Sequence, residues 1–197
     1  GICSFQHGSG YCQAVEAIMD VDIPPRAKFL RTVWGELSRI HSHLLWLGLL
    51  ADAFGFESLF MQCWRLREKI LDLFEMTTGG RIIFSVNQVG GVLKDMDEDM
   101  LSAIRSTMKA MNEELRPIAQ TFLEDASVNA RLRGLGHLDK EQALLAGAVG
   151  PMLRASGIDY DARETGYAAY DELNFGPITA VEGDSYARVK VRIAELF

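Results

Sequence analysis

Cys3 and His7, four residues apart in Gly1-Ile2-Cys3-Ser4-Phe5-Gln6-His7, bring a thiol and an imidazole near enough to serve one soft metal or one redox partner. Gly8 and Gly10 follow and leave the backbone free to approach a bound group closely. The plain alternative is a buried Cys and an ordinary His where a loop enters a helix. A second set, Glu36, Arg39 and His43, falls at i, i+3 and i+7, so the three share one face of any helix that holds them. If that face is buried it can relay protons together with His41, because His titrates near neutral pH and burial tunes Glu upward. The alternative makes His41 a satisfied core residue and Glu36 with Arg39 a structural ion pair, worth a few tenths of a kcal/mol if solvated.

The elements that must position these groups are mostly helical. Tyr11, Ala14, Val15 and Ile18 repeat at three and four residues, which predicts a short amphipathic helix over 10–19 carrying Cys12. Asp22-Ile23-Pro24-Pro25 breaks it, and Pro25 is placed to open a second helix. Ala27, Leu30, Trp34, Leu37, His41, Leu44 and Gly48 then form a heptad-like seam, so a buried helix of roughly 40 Å is expected, ending near Asp52. Gly48 weakens it by about 1 kcal/mol unless a neighbour packs close. A third helix is expected over 58–76, with Arg65, Glu68, Asp72 and Glu75 as a charged stripe and Cys63 in the core. The β-branched and aromatic run Arg81 to Val86, followed by Gly90-Gly91-Val92, predicts a small hairpin over 81–93. Asp97 or Asp99 starts a helix to about Phe122, kinked at Pro117. An extended piece over 130–136 and a short helix over 139–146 lead into 147–184, which lacks any sustained period and is too long for an idle connector. Helical character resumes over 185–197, where Asp184 and Arg188 are placed to pair across one turn. The expected fold class is mainly α: a long-helix bundle with a small β hairpin, forming one unit over 1–197.

Composition narrows the function. The 197 residues carry a net charge of −7 with Lys and Arg outnumbered by acids, which argues against nucleic acid as a partner. Three Cys, at 3, 12 and 63, do not make a secreted disulfide framework and favour a reducing compartment. The longest apolar run, Leu44 to Ala51, is too short to cross a bilayer, so any membrane link is expected through partner subunits. An opening on Gly-Ile-Cys, without Met or signal peptide, reads as the interior of a longer protein. A Cys immediately before Gly1 would complete a CxxC pair.

Several segments together carry a family likeness. Gly1 to His7 with Tyr11 and Glu16, Pro24-Pro25-Arg26-Ala27 and Glu36-Leu37-Ser38-Arg39-Ile40-His41-Ser42-His43 resemble the large subunit of nickel-iron hydrogenases of the membrane-bound, energy-converting branch. Arg67-Glu68-Lys69, Thr78-Gly79-Gly80-Arg81, Gly90-Gly91-Val92, Gly150 to Gly157 and Gly183 to Arg188 resemble that branch and its relative, the quinone-pocket D-type subunit of NADH:quinone oxidoreductase. The resemblance implies a nickel-iron centre held by four cysteines, of which Cys3 matches the one bridging both metals, with His7 and Arg154 around it. The other three ligands are expected outside this sequence, so the fragment alone is expected to be inactive. The implied reaction is reversible proton reduction to dihydrogen, coupled to ion translocation. Its electrons come from a ferredoxin-like donor through iron–sulfur clusters on a small partner subunit. Membrane-arm subunits are implied partners, on the cytoplasmic side of the membrane. The alternatives are a quinone-binding D-type component of NADH:quinone oxidoreductase without the metals, against which Cys3 argues, and a non-catalytic helical docking subunit.

Overall fold

The computed structural model describes residues 2–197. Helix α1 (Ser4–Met19) is followed by two long helices packed against each other, α2 (Pro25–Ala53) and α3 (Glu57–Thr78). A two-residue antiparallel ladder joins β1 (Asn87–Gln88) to β2 (Gly91–Val92), with Asn87 opposite Val92. Then come α4 (Glu98–Glu124), α5 (Ala126–Leu132), α6 (Lys140–Leu145) and α7 (Pro151–Arg154). Two 3₁₀ turns, Ala162–Thr165 and Tyr170–Glu172, precede α8 (Ser185–Ala194). The expected mainly helical architecture with a small antiparallel sheet is what forms. Among the described residues no helix is long and apolar enough to cross a membrane.

The core lies between α2, α3 and α4. The predicted α2 seam is buried throughout, from Ala27 and Leu30 through Trp34, Leu37 and Leu44 to Gly48. Trp34 is fully enclosed and still satisfies its indole N–H, which donates to Thr77 Oγ1 at 3.0 Å. Gly48 has the packing reason its helix position demands. A Cβ there would stand 2.5 Å from the Trp64 ring, so the missing side chain is what lets Trp64 lie against α2.

One buried ion pair ties the first half together. Arg31, on α2, donates to both carboxylate oxygens of Glu16 on α1 at 2.9 and 2.7 Å. Arg31 also donates to the carbonyls of Gln88 and Gly91, while Gly90 N–H donates to Glu16 at 2.8 Å. Both charges are nearly solvent-free, at 1% and 5% side-chain exposure, and each lone pair or proton taken from water has a replacement. The tight turn after β1 is thereby clamped onto α1 and α2.

Several local expectations are corrected. Helix α1 begins at Ser4 rather than near Gly10, so His7, Gly8 and Gly10 are helical, and His7 N–H already donates to the Cys3 carbonyl. Arg81 to Val86 is not a strand. Phe84 packs against Phe5 and Phe74 and Val86 is buried, while Ile82 and Ile83 face outward, and the ladder is confined to 87–92. Helix α5 runs through Leu132, so the first residues of the extended piece expected over 130–136 are helical, because Asp125 accepts from the N–H groups of Ser127 and Val128 and caps the helix. The charged stripe on α3 does not pair along the helix. Arg81 gathers Glu68, Asp72 and Glu75, and Arg65 reaches Glu114 on α4.

Gly48→Ala is expected to lower stability by about 1–2 kcal/mol, since overpacking against Trp64 outweighs the helix propensity gained. A denaturant midpoint equal to or above that of the parent protein would show that Trp64 moves aside freely.

Candidate functional site

The polar face of α2 becomes a site because the far end of the chain folds back onto it. Glu36, Arg39 and His43 do lie together, and what they meet is Glu195, the residue that ends α8. Its carboxylate, with 1% of the side chain exposed, accepts from His43 Nε2 at 2.6 Å and Arg39 at 3.1 Å, and from Arg154 of α7 in a short contact. Arg154 also pairs with Asp161 at 3.0 Å, and Asp161 holds Arg163 through two hydrogen bonds at 2.9 and 2.7 Å. Arg163 comes within 3.5 Å of Glu36, which is forked to Arg39 at 3.0 Å. The contacts close into a ring of alternating sign: Glu36, Arg39, Glu195, Arg154, Asp161, Arg163 and back to Glu36. Tyr170 O–H donates to Glu36 at 2.5 Å from the second 3₁₀ turn.

Local sequence explains how the irregular stretch delivers its members. Asp161 and Glu164 make a capping box that turns the chain over 161–165 and aims Arg163 inward. Ala169 N–H donates to Thr32 Oγ1 and pins the next turn to α2, which places Tyr170 over Gly35 and Glu36. Gln6 donates to the Gly35 carbonyl at 3.2 Å, so the first turn of α1 rests on the same spot. The ring is deepest at Glu195 and opens toward solvent at Glu36, whose side chain is 32% exposed. Beside Glu36, between α2 and α4, runs an apolar groove of about 330 Å³ lined by Phe29, Val33, Ile40, Met108 and Leu173.

The electrostatics follow from burial set against partners. Burial alone would push the Glu195 carboxyl up, but the His43 hydrogen bond and the charges of Arg154 and Arg39 outweigh it and hold it at about 2. Asp161 is likewise pushed up by burial and brought down to about 2 by Arg163 and Arg154. At Glu36 the same contest, with Arg39, Tyr170 and Arg163 opposing burial, ends below the usual carboxylate range. His43 goes the other way. Burial, with help from Arg39 and Arg192, outweighs the pull of Glu195, so its pKa falls and it rests neutral. Within this set His43 is the one imidazole, the others being carboxylates, guanidiniums and a phenol.

The other predicted positions separate from this set. His41 lies in the core at 1% exposure, its ring edge against Phe74 and both nitrogens unpartnered. Burial and the nearby Arg67 charge lower its pKa to about 4. It joins no relay with Glu36, Arg39 and His43. Arg154 holds the carboxylates of Glu195 and Asp161. Asp184 and Arg188 do not pair: Asp184 accepts from Gly134 and Ala187 N–H groups, and Arg188 donates to the carbonyls of Gly136 and Gly183. Cys12 and Cys63 are buried, whereas Cys3 is exposed at the start of α1 and His7 points to solvent one turn on. No group of three or more His, Cys, Asp or Glu among the described residues could hold a metal ion. One exposed thiol does not make a nickel-iron site, and such a centre would need further ligands besides Cys3.

Glu195, Asp161, Arg163 and Tyr170 went unread in the sequence. Glu195 carries one usable signal, an acid at a helix C-terminus where the helix dipole disfavours it. Asp161 and Glu164 show the capping-box spacing.

Among known proteins, the profile of a family described as respiratory-chain NADH dehydrogenase, 49 kDa subunit, matches residues 53–197. The membrane-bound hydrogenase subunit alpha of Pyrococcus furiosus is 38% identical over the whole chain and 48% of its own length. The second D-type subunit of NADH-quinone oxidoreductase from Thermodesulfovibrio yellowstonii is 40% identical over 99% of the chain and 49% of its own length. The corresponding D-type subunit from Campylobacter jejuni is 40% identical over 98% of the chain. The chain thus spans about half the length of these curated relatives.

Two outcomes follow for stability. Glu195→Ala leaves Arg154 with Asp161 alone and Arg39 with Glu36 alone and is expected to cost about 3 kcal/mol, against about 1 kcal/mol for the more exposed Glu36→Ala. Equal losses in a denaturant titration would contradict the depth order of the ring. The pH dependence has a worked sign. His41 and His43 have pKa values depressed by folding, as do Glu195 and Asp161, so the unfolded chain binds more protons and stability is lost as the pH is lowered. The histidines act first, below pH 6.5, and the carboxylates later, toward pH 2. With the His41 pKa at about 4 when folded, His41→Leu should remove about 3 kcal/mol of the loss between pH 6.5 and 4, read from urea midpoints at several pH values.

Proposed function

The chain belongs to the family of the 49 kDa subunit of respiratory-chain NADH dehydrogenase, and from that premise we propose that it works as a D-type component of a membrane-associated oxidoreductase complex that reduces quinone. The observation that carries this reading is the contact of His43 with Glu195 inside a charge ring that opens, at Glu36, beside an apolar groove. The groove suits an apolar quinone, and Glu36 with Tyr170 supplies polar contacts at its edge. Quinone reduction takes two electrons and two protons. The ring's own charges, three carboxylates and three guanidiniums, cancel. Protonating His43 therefore adds one net positive charge, which becomes favourable when an electron arrives nearby and is released when that electron leaves. Glu195 takes the hydrogen bond of His43 and steadies its charged form. The electrons would come from iron–sulfur clusters on a partner subunit, and membrane-arm subunits would hold the chain at the membrane face.

A second reading, favoured by Cys3 and His7 on the first turn of α1, is a hydrogenase component combining two protons and two electrons into dihydrogen. Cys3 would supply one thiolate to its nickel and iron, and a ferredoxin-like donor its electrons. The assembled complex distinguishes the two, since quinone-dependent turnover without nickel supports the first and hydrogen evolution with bound nickel the second. In either complex His43→Gln keeps a hydrogen-bonding group against Glu195 but cannot titrate. The variant is expected to lower turnover about 100-fold and flatten the acid limb of its pH profile, below pH 6.5, with the complex still assembled. An unchanged rate and profile would remove His43 from the proton path.

A further inference from the structure

Arg67 on α3 is buried, 7% exposed, and no carboxylate among the described residues pairs with it. Its Nε has no hydrogen-bond partner, and its guanidinium lies 5.4 Å from the centre of the Trp64 ring, a cation–π contact that replaces only part of a counter-ion. Glu68, the next residue, is exposed and engaged by Arg81. Across from it on α2 stands His41, fully buried with both ring nitrogens unpartnered. Burial lowers the pKa of Arg67, and the Arg67 charge in turn lowers that of His41. The other deeply buried arginines contrast with this. Arg31, Arg154 and Arg163 each hold a carboxylate within 3.0 Å.

The surface around Arg67 has the composition of a contact. Met61 and Trp64 are neighbours three residues apart on α3, Met61 being 59% exposed, and the Arg67 guanidinium lies against the Trp64 ring. On α2, Leu49 beside Gly48 is 52% exposed, and Gly48 is what lets Trp64 lie flat there. Met, Trp and Arg are the residues enriched where proteins meet, and an unpaired guanidinium at the end of an apolar stripe calls for an anion rather than another apolar group. We propose that this α2–α3 face docks an adjacent subunit of the complex, which seats a carboxylate against Arg67 and an apolar side chain over Trp64 and Met61. The inference rests on the reading of the chain as a subunit, and it adds the chemistry of one partner contact.

The test uses the assembled complex carrying Arg67→Lys, treated with a carbodiimide that condenses an amine with a touching carboxylate. A cross-linked peptide joining position 67 to an Asp or Glu of another subunit is expected by mass spectrometry. The ion pair of Lys69 with Glu114 inside the chain serves as the control that the chemistry worked. Products confined to acids of this chain, in a complex that retains its other subunits, overturn the inference while leaving the subunit reading intact. A chain that purifies with no other subunit removes both. Arg67→Met gives an independent measure: association is expected to weaken about tenfold and lose part of its salt dependence. The same affinity and salt slope as the parent complex would overturn the proposal.

Discussion

A carboxylate held ionised out of water is the condition on which the site depends. Glu195 has 1% of its side chain exposed, and an isolated ion in that position costs several kcal/mol. It sits, moreover, at the C-terminus of α8, where the helix dipole adds a further penalty for negative charge. The burden is met only when Arg39, His43 and Arg154 all reach it, and these come from α2 and α7. The end of α8 is therefore fixed against two other elements at once. Small displacements of any of the three break a charged contact in a low dielectric, where such contacts are strongest.

Two buried ionic clusters in the same molecule show what distinguishes structure from chemistry. Arg31 and Glu16 are forked to each other and saturated by the carbonyls of Gln88 and Gly91 and the N–H of Gly90. Arg31 holds the Glu16 carboxyl below the usual carboxylate range, and the cluster acts as a staple. The ring around Glu195 uses the same arginine–carboxylate chemistry but adds His43, whose pKa is moved by burial and by charges of both signs. Substituting an imidazole for one more guanidinium turns a staple into a group that can answer a change in local potential.

What the sequence made legible was regular and local. The α2 seam, from Ala27 to Gly48, could be read because a 3.6-residue period repeats long enough to declare itself, and the same period put Glu36, Arg39 and His43 on one face. His41 was separable in principle, since it belongs to the seam and not to that face, and the packing of Phe74 against it enforces the difference. The first turn of α1 was hidden by Gly8 and Gly10, whose low helix propensity is overridden by the packing of Phe5 on Trp34. Glu195, Asp161 and Arg163 were out of reach for another reason. Glu195 and Arg163 meet α2 across more than a hundred residues of chain, Asp161 joins through Arg154 and Arg163, and no local pattern records partners that distant.

The irregular stretch before α8 is where the ring acquires its balance. A helix could offer α2 one face, with like charges recurring every three or four residues. Turns built on the Asp161 capping box, with Gly166 at φ +73° and Ala168 at φ +54°, instead present one acid, one guanidinium and one phenol in separate directions. That arrangement leaves the ring's acids and guanidiniums equal in number, so an added proton on His43 meets no net attraction from the ring as a whole. Its direct contact with Glu195 is opposed by burial and by Arg39 and Arg192. A ring tuned only for stability would have charged His43 permanently. Holding it neutral keeps a proton site vacant until a negative charge appears nearby, which is the property an electron-coupled proton carrier needs.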